Sequence, residues 1–249
     1  MTSELKRRIQ YILAAAIVLT AVRTGYVLYS RHAGSASDVP ERSAAPPLDA
    51  DYYVTPKKLH AYDLKSVREL TKQPVWMKEG YRYTYFPYLA ASRSVDFAHE
   101  AGQLLPLQKL DIKDVVLVPT PESARQNLPG GAVLRGERQV MALFDQDGRH
   151  YAVPVGRELG GDYRIYADEM FFIQDPKQLY KHWPADVWEA VDKHQVKPGM
   201  NELQAGFAIG MGLPQPSNEP GIKTVQYPNG GKPVRVMYRN GKAVEIKQE

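Results

Sequence analysis

The chain has no cysteine among its 249 residues. That absence excludes a disulfide framework, a thiolate metal site, a catalytic thiol and a bacterial lipoprotein anchor, which needs a modified cysteine. Histidine is sparse, at six residues, and none falls at metal-ligand spacing. His99-Glu100 opens like a zinc-protease helix, but Ala101-Gly102-Gln103 follows and the second histidine at i+4 is missing. There is no phosphate loop of the Gly-x-x-x-x-Gly-Lys type and no Gly-x-Ser-x-Gly elbow; Ser123 sits in Thr120-Pro121-Glu122-Ser123-Ala124. No cofactor, no metal and no catalytic residue is therefore expected.

An excess of charge of one sign is also missing. The formal net charge is +4, but Lys6, Arg7, Arg8 and Arg23 all lie in or beside the N-terminal apolar segment. Setting residues 1–30 aside, with Glu4 the one acid among them, leaves 28 basic against 27 acidic residues. A remainder so balanced has no general footprint for phosphates, and nucleic acid is not an expected partner. The 43% of apolar and 24% of charged residues are ordinary globular values and speak against disorder throughout.

One long apolar run is present. Extended from Tyr11 to Tyr29 it would cover about 28 Å as a helix, close to the thickness of a hydrocarbon core. Arg23 can snorkel at its far end, Tyr26 and Tyr29 suit an interfacial belt, and Lys6, Arg7 and Arg8 suit a cytoplasmic N-terminus. The competing reading is a cleaved signal peptide, whose nearest small-x-small triplet is Gly34-Ser35-Ala36. Either reading exports the remainder. The expectation is a single-pass protein of the inner membrane with its C-terminal domains in the periplasm.

Residues 1–30 are thus assigned to a tail and transmembrane anchor, and 31–58, with Pro40, Pro46, Pro47 and Pro56, to a flexible linker. Residues 59–174 are read as a β-rich domain with a short leading helix capped by Asp63. Its expected strands are Val75 to Lys78, Tyr81 to Tyr88, Ile112 to Val118, Gln139 to Phe144, Tyr151 to Val155 and Tyr163 to Ile173, with Asp147-Gly148 as a hairpin turn. Such short strands fit a small antiparallel barrel or sandwich. Residues 175–249 are read as a separate ααβββ module, opened by Asp175-Pro176 and by Pro184, with turns at Asn229-Gly230-Gly231 and Asn240-Gly241. The fold class expected is α+β.

Within that module Asn201 is a good N-cap and Gln204 its capping-box partner, so a helix starts at Glu202. Leu203, Phe207 and Met211 share one face, which must be buried. Gly206 and Gly210, four apart, point to close approach by a neighbouring element, and Gly212 suits the left-handed end of the helix. This order of Gly-Met, polar cap, short helix, Gly-x-Pro turn and strands ending in Tyr238-Arg239-Asn240-Gly241-Lys242-Ala243-Val244 resembles the SmpA/OmlA family, the BamE-type subunit of outer-membrane assembly machinery. The resemblance covers about residues 184–249. It implies two helices on a three-stranded antiparallel sheet, and a non-catalytic scaffold that binds other envelope proteins.

The strand YRYTYFPYL places Tyr81, Tyr83 and Tyr85 on one face. Such a row can stack on sugar rings, which makes peptidoglycan a further candidate partner, or it can be a cross-strand ladder completing a core. Asp96 with Glu100, or Asp168 with Glu169, offers paired carboxylates for a hydrolase, a weaker alternative.

Overall fold

A computed structural model describes residues 3–35, 50–79, 83–121, 137–216 and 219–248. Half of the expected linker, residues 36–49, and Ser123 lie outside the described residues. Met1–Asp49 and Ala50–Glu249 are separate compact units.

The first unit holds α1, Ser3–Ser35. Among the described residues, however, no helix is long and apolar enough to cross a membrane. Thr20, Arg23, Thr24 and Gly25 dilute the apolar run over little more than one turn, and the two threonine hydroxyls donate to the carbonyls of Ala16 and Thr20. This overturns the transmembrane helix and the inner-membrane localisation built on it.

The second unit corrects the fold class as well: it is dominated by strands. After a 3₁₀ turn at Ala50–Tyr53 comes α2, Leu64–Val67, capped by Asp63 in a capping box with Ser66 and continued as 3₁₀ to Lys72. Then follow β1 (Val75–Met77), β2 (Thr84–Leu89), β3 (Ser94–Val95), β4 (Gly102–Gln103), β5 (Lys109–Leu110), β6 (Ile112–Pro119), β7 (Arg138–Gln146), β8 (Arg149–Leu159) and β9 (Asp162–Ile165). The expected strand from Tyr163 to Ile173 is broken: α3 (Ala167–Met170) intervenes before β10 (Phe171–Phe172). The chain closes with α4 (Pro176–Leu179), α5 (Ala185–Asp192), α6 (Glu202–Ile209), β11 (Leu213–Gln215), β12 (Ile222–Tyr227), β13 (Val234–Arg239) and β14 (Lys242–Gln248).

All three sheets are antiparallel. The largest runs β3-β2-β8-β7-β6, with β4 on β2 and β9 on β8. The β7–β8 hairpin turns at Asp147-Gly148, both at positive φ, as a two-residue primed turn requires. A second sheet, β10-β1-β5, is only three strands wide. The third, β11-β12-β13-β14, replaces the expected three-stranded sheet, because Leu213–Gln215 adds an edge strand on β12. Three short helices rather than two precede it, so the ααβββ module is corrected to αααββββ.

Two cores result. The first gathers Val67, Leu70, Val115, Val140, Phe144, Val153, Met170 and Phe171; the second gathers Trp183, Val191, Met200, Phe207, Val225, Tyr227, Val236 and Tyr238. In β1 the period of two sends Val75 and Met77 to the first and Trp76 to the second. The adjacent Phe171 and Phe172 of β10 divide the same way.

Candidate protein-binding surface

The second core is organised by α6. Asn201 accepts from the Gln204 amide at 2.8 Å while the Gln204 side chain accepts from the Asn201 amide at 2.9 Å, the reciprocal capping box. Phe207 is fully buried, with ring centroids 5.0 Å from Tyr180, 4.9 Å from Trp183 and 5.8 Å from Phe172. Leu203 packs at the margin of this core. Met211 does not join them: the helix ends at Ile209, Gly210 takes φ +90°, and Met211 is 47% exposed. The glycine roles are redistributed. Gly210 caps the helix, whereas close approach belongs to Gly212, where an added Cβ would meet Val225 and lie 2.7 Å from Tyr227 Cε1. Gly206 faces the side chain of Glu79 at an ordinary 3.6 Å.

An N-terminal strap is tied over this core. Asp51 Oδ1 accepts from Trp183 Nε1 at 2.6 Å and lies 2.7 Å from His182 Nε2, while Oδ2 accepts from Asn201 Nδ2 at 2.8 Å. Further along, Asp168 accepts from the amides of Leu59 and His60 at 2.6 and 2.8 Å, and Gln174 accepts from that of Lys57 at 2.9 Å. Asp168 of the Asp168-Glu169 pair therefore holds the strap in place. Asp96 is likewise engaged by His99 and by the Ala98 amide, which hold its carboxyl below the usual range, and Glu100 is exposed. Glu79 differs: burial pushes its carboxyl up to about 7, and its Oε2 is enclosed without a hydrogen-bond partner. Among the described residues no group of three His, Asp or Glu could hold a metal ion.

The tyrosine row does not form one surface. Tyr85 is buried in the first core, edge-on to Phe144 and Tyr151 at 5.4 and 5.1 Å. Tyr83 packs partly buried against that core, and Tyr81 lies outside the described residues. Among the described residues of the second unit, the most exposed tyrosines are instead Tyr52, Tyr53 and Tyr62 of the strap.

The outer face of the third sheet presents exposed and half-buried side chains. Its inner face carries Val225, Tyr227, Val236, Tyr238 and Ala243 into the second core. The cross-strand register therefore puts Leu213 and Gln215, Ile222, Thr224 and Gln226, Arg235, Met237 and Arg239, and Lys242, Glu245 and Lys247 on the outer one. Leu213 is 58% exposed at one margin. A shallow groove of about 560 Å³ crosses this face, lined by Gln215, Thr224, Arg235, Met237, Glu245 and Lys247 among others. Four cations stand there against one carboxylate. A whole-chain charge count misses this concentration, because which side chains share a face depends on register. The alternation in KTVQY and VRVMYR was the available signal.

No protein-family model, no curated protein and no solved structure matches this chain.

Proposed function

We propose that this protein is a non-catalytic protein-binding module whose working surface is the outer face of the C-terminal sheet. One observation carries the reading: a four-stranded sheet with one face packed on α5 and α6 and the other uncovered among the described residues, grooved, and bearing Leu213 and Met237 among charged side chains. An antiparallel sheet tolerates one wet face, but apolar side chains set in a charged rim are the pattern of a docking site. The resemblance of residues 184–249 to the SmpA/OmlA scaffolds supports the same reading. Binding of glycans by the tyrosine row has less support, since Tyr85 is core.

The test is site-specific photo-cross-linking in the native cell. A photoreactive residue at Met237 should give a discrete adduct with one protein, which then binds the purified chain. The same residue at His150, on the largest sheet, should not. Equal adducts at both positions, or none at Met237, would sink the proposal.

A further inference from the structure

The charge on the outer face is arranged, and the arrangement specifies a partner. Arg235 lies directly across from Lys247, and Arg239 directly across from Lys242. Like charges directly opposed across strands are destabilising. Lysine at a sheet edge discourages unwanted strand pairing, which accounts for Lys242 and Lys247 on β14. It does not account for Arg235 and Arg239, which are on β13, an inner strand of the sheet. Between the two cationic pairs sits Met237, with Glu245 as its cross-strand neighbour. Lys247 is engaged by Glu245 at 2.7 Å, but both side chains are largely exposed, and such pairs exchange readily for another carboxylate.

Arg235 and Arg239 are four residue steps apart on one strand, a spacing of about 13 Å at about 3.3 Å per residue. An extended segment lying along β13 repeats that spacing with carboxylates at i and i+4. Its side chain at i+2 then falls on Met237, where Glu245 repels a third carboxylate. Resting on the protein-binding reading above, we infer that this face reads acidic extended polypeptide segments of the pattern acid-x-apolar-x-acid, one carboxylate on each cationic pair and the apolar side chain on Met237.

The experiment uses the full chain and fluorescence polarisation with labelled synthetic peptides. A Glu-x-Leu-x-Glu peptide should bind, more weakly as salt rises. A permuted peptide of equal composition with adjacent glutamates, and one with glutamines, should bind at least about tenfold more weakly. Arg239→Glu should weaken binding by at least about tenfold. The same change places opposite charges across the hairpin, so its unfolding midpoint should hold or rise, which separates lost binding from lost folding. Arg149→Glu, on the largest sheet, should leave binding unchanged.

Equal binding of the permuted peptide, no peptide binding, or preference for a single-stranded oligonucleotide of matched charge would each overturn the inference. If peptides fail while Met237 still cross-links to a single protein, the charge pattern is wrong and the binding module stands. If both fail, both readings fall together.

Discussion

Glu79 shows how one side chain ties packing to pH. Desolvation is the leading cause that lifts its carboxyl from 4.5 to about 7, with Lys78 acting weakly in the opposite direction. The groups around it are Lys78, its neighbour in the chain, Tyr180 after α4, itself raised to about 12 chiefly by burial, and beyond it Asp51 in the strap. A carboxyl raised on folding binds its proton more tightly in the folded chain, so its contribution is fully present below about 4.5 and is lost as pH rises through about 7. Above that range the native state carries an ionised group with one oxygen enclosed and unpartnered. Glu79→Gln should therefore raise stability at pH 8 by no more than about 3 kcal/mol and change it little at pH 4. Denaturant unfolding at the two values checks this, and an equal effect at both would reject it. Gly212 tests packing in the same way. Gly212→Ala should cost about 1–3 kcal/mol, since its Cβ would strike Val225 and Tyr227. Gly206→Ala meets only ordinary contacts and gains about 1 kcal/mol of helix propensity, so it should be neutral or stabilising.

At the scale of elements, α6 was the most legible part of the chain because its start is local chemistry. Asn201 and Gln204 three residues apart satisfy each other's backbone amides, and nothing distant has to be known. Its end was not legible. Gly206, Gly210 and Gly212 look alike in sequence, and only the approach of β12 makes Gly212 the crowded one and leaves Gly210 to stop the helix. Met211 falls outside the core for that reason. The run from Tyr163 to Ile173 has strand-forming residues at both ends but the poor strand formers Ala167, Asp168 and Glu169 in its middle, and α3 interrupts it there, where Asp168 turns to hold the strap. Register limited the outer face in the same manner: the residues were visible, their shared side was not. Asn201→Ala removes both the cap and the 2.8 Å bond to Asp51. It should cost about 1–2 kcal/mol, toward the upper end of the range for a cap alone. Asn201→Asp keeps the cap but sets two carboxylates together, so it should also lose stability, and more at pH 8 than at pH 4. If Asn201→Asp matches the wild type at both values, the tie to Asp51 carries no stability.

For the second unit as a whole, the question is whether its two cores are separable, and β1 and β10 decide it. Both strands pack on both sides: Val75, Met77 and Phe171 belong to the first core, Phe172 to the second, and Trp76 packs partly buried against the second. The strap adds ties in both directions, since Asp51 is bonded to Trp183 and Asn201 while Leu59 and His60 are held by Asp168. Cutting the chain after Gln174 would therefore strip the far side of the three-stranded sheet. Phe172 would lose Phe207 at 5.8 Å, Trp76 would lose its packing, and Asp51 would lose Trp183 and Asn201. Exposing one buried aromatic side chain costs about 1.5–3 kcal/mol, and two together reach the scale of a small domain's total stability. A chain ending at Gln174 should accordingly fail to unfold cooperatively and should bind a hydrophobic dye, while Ala50–Glu249 should melt in one transition with matching calorimetric and van't Hoff enthalpies. Two resolved transitions in Ala50–Glu249, or a sharp transition in the truncated chain, would show that the shared sheet does not couple the cores. In that case the outer face could be studied on the C-terminal sheet and its helices alone.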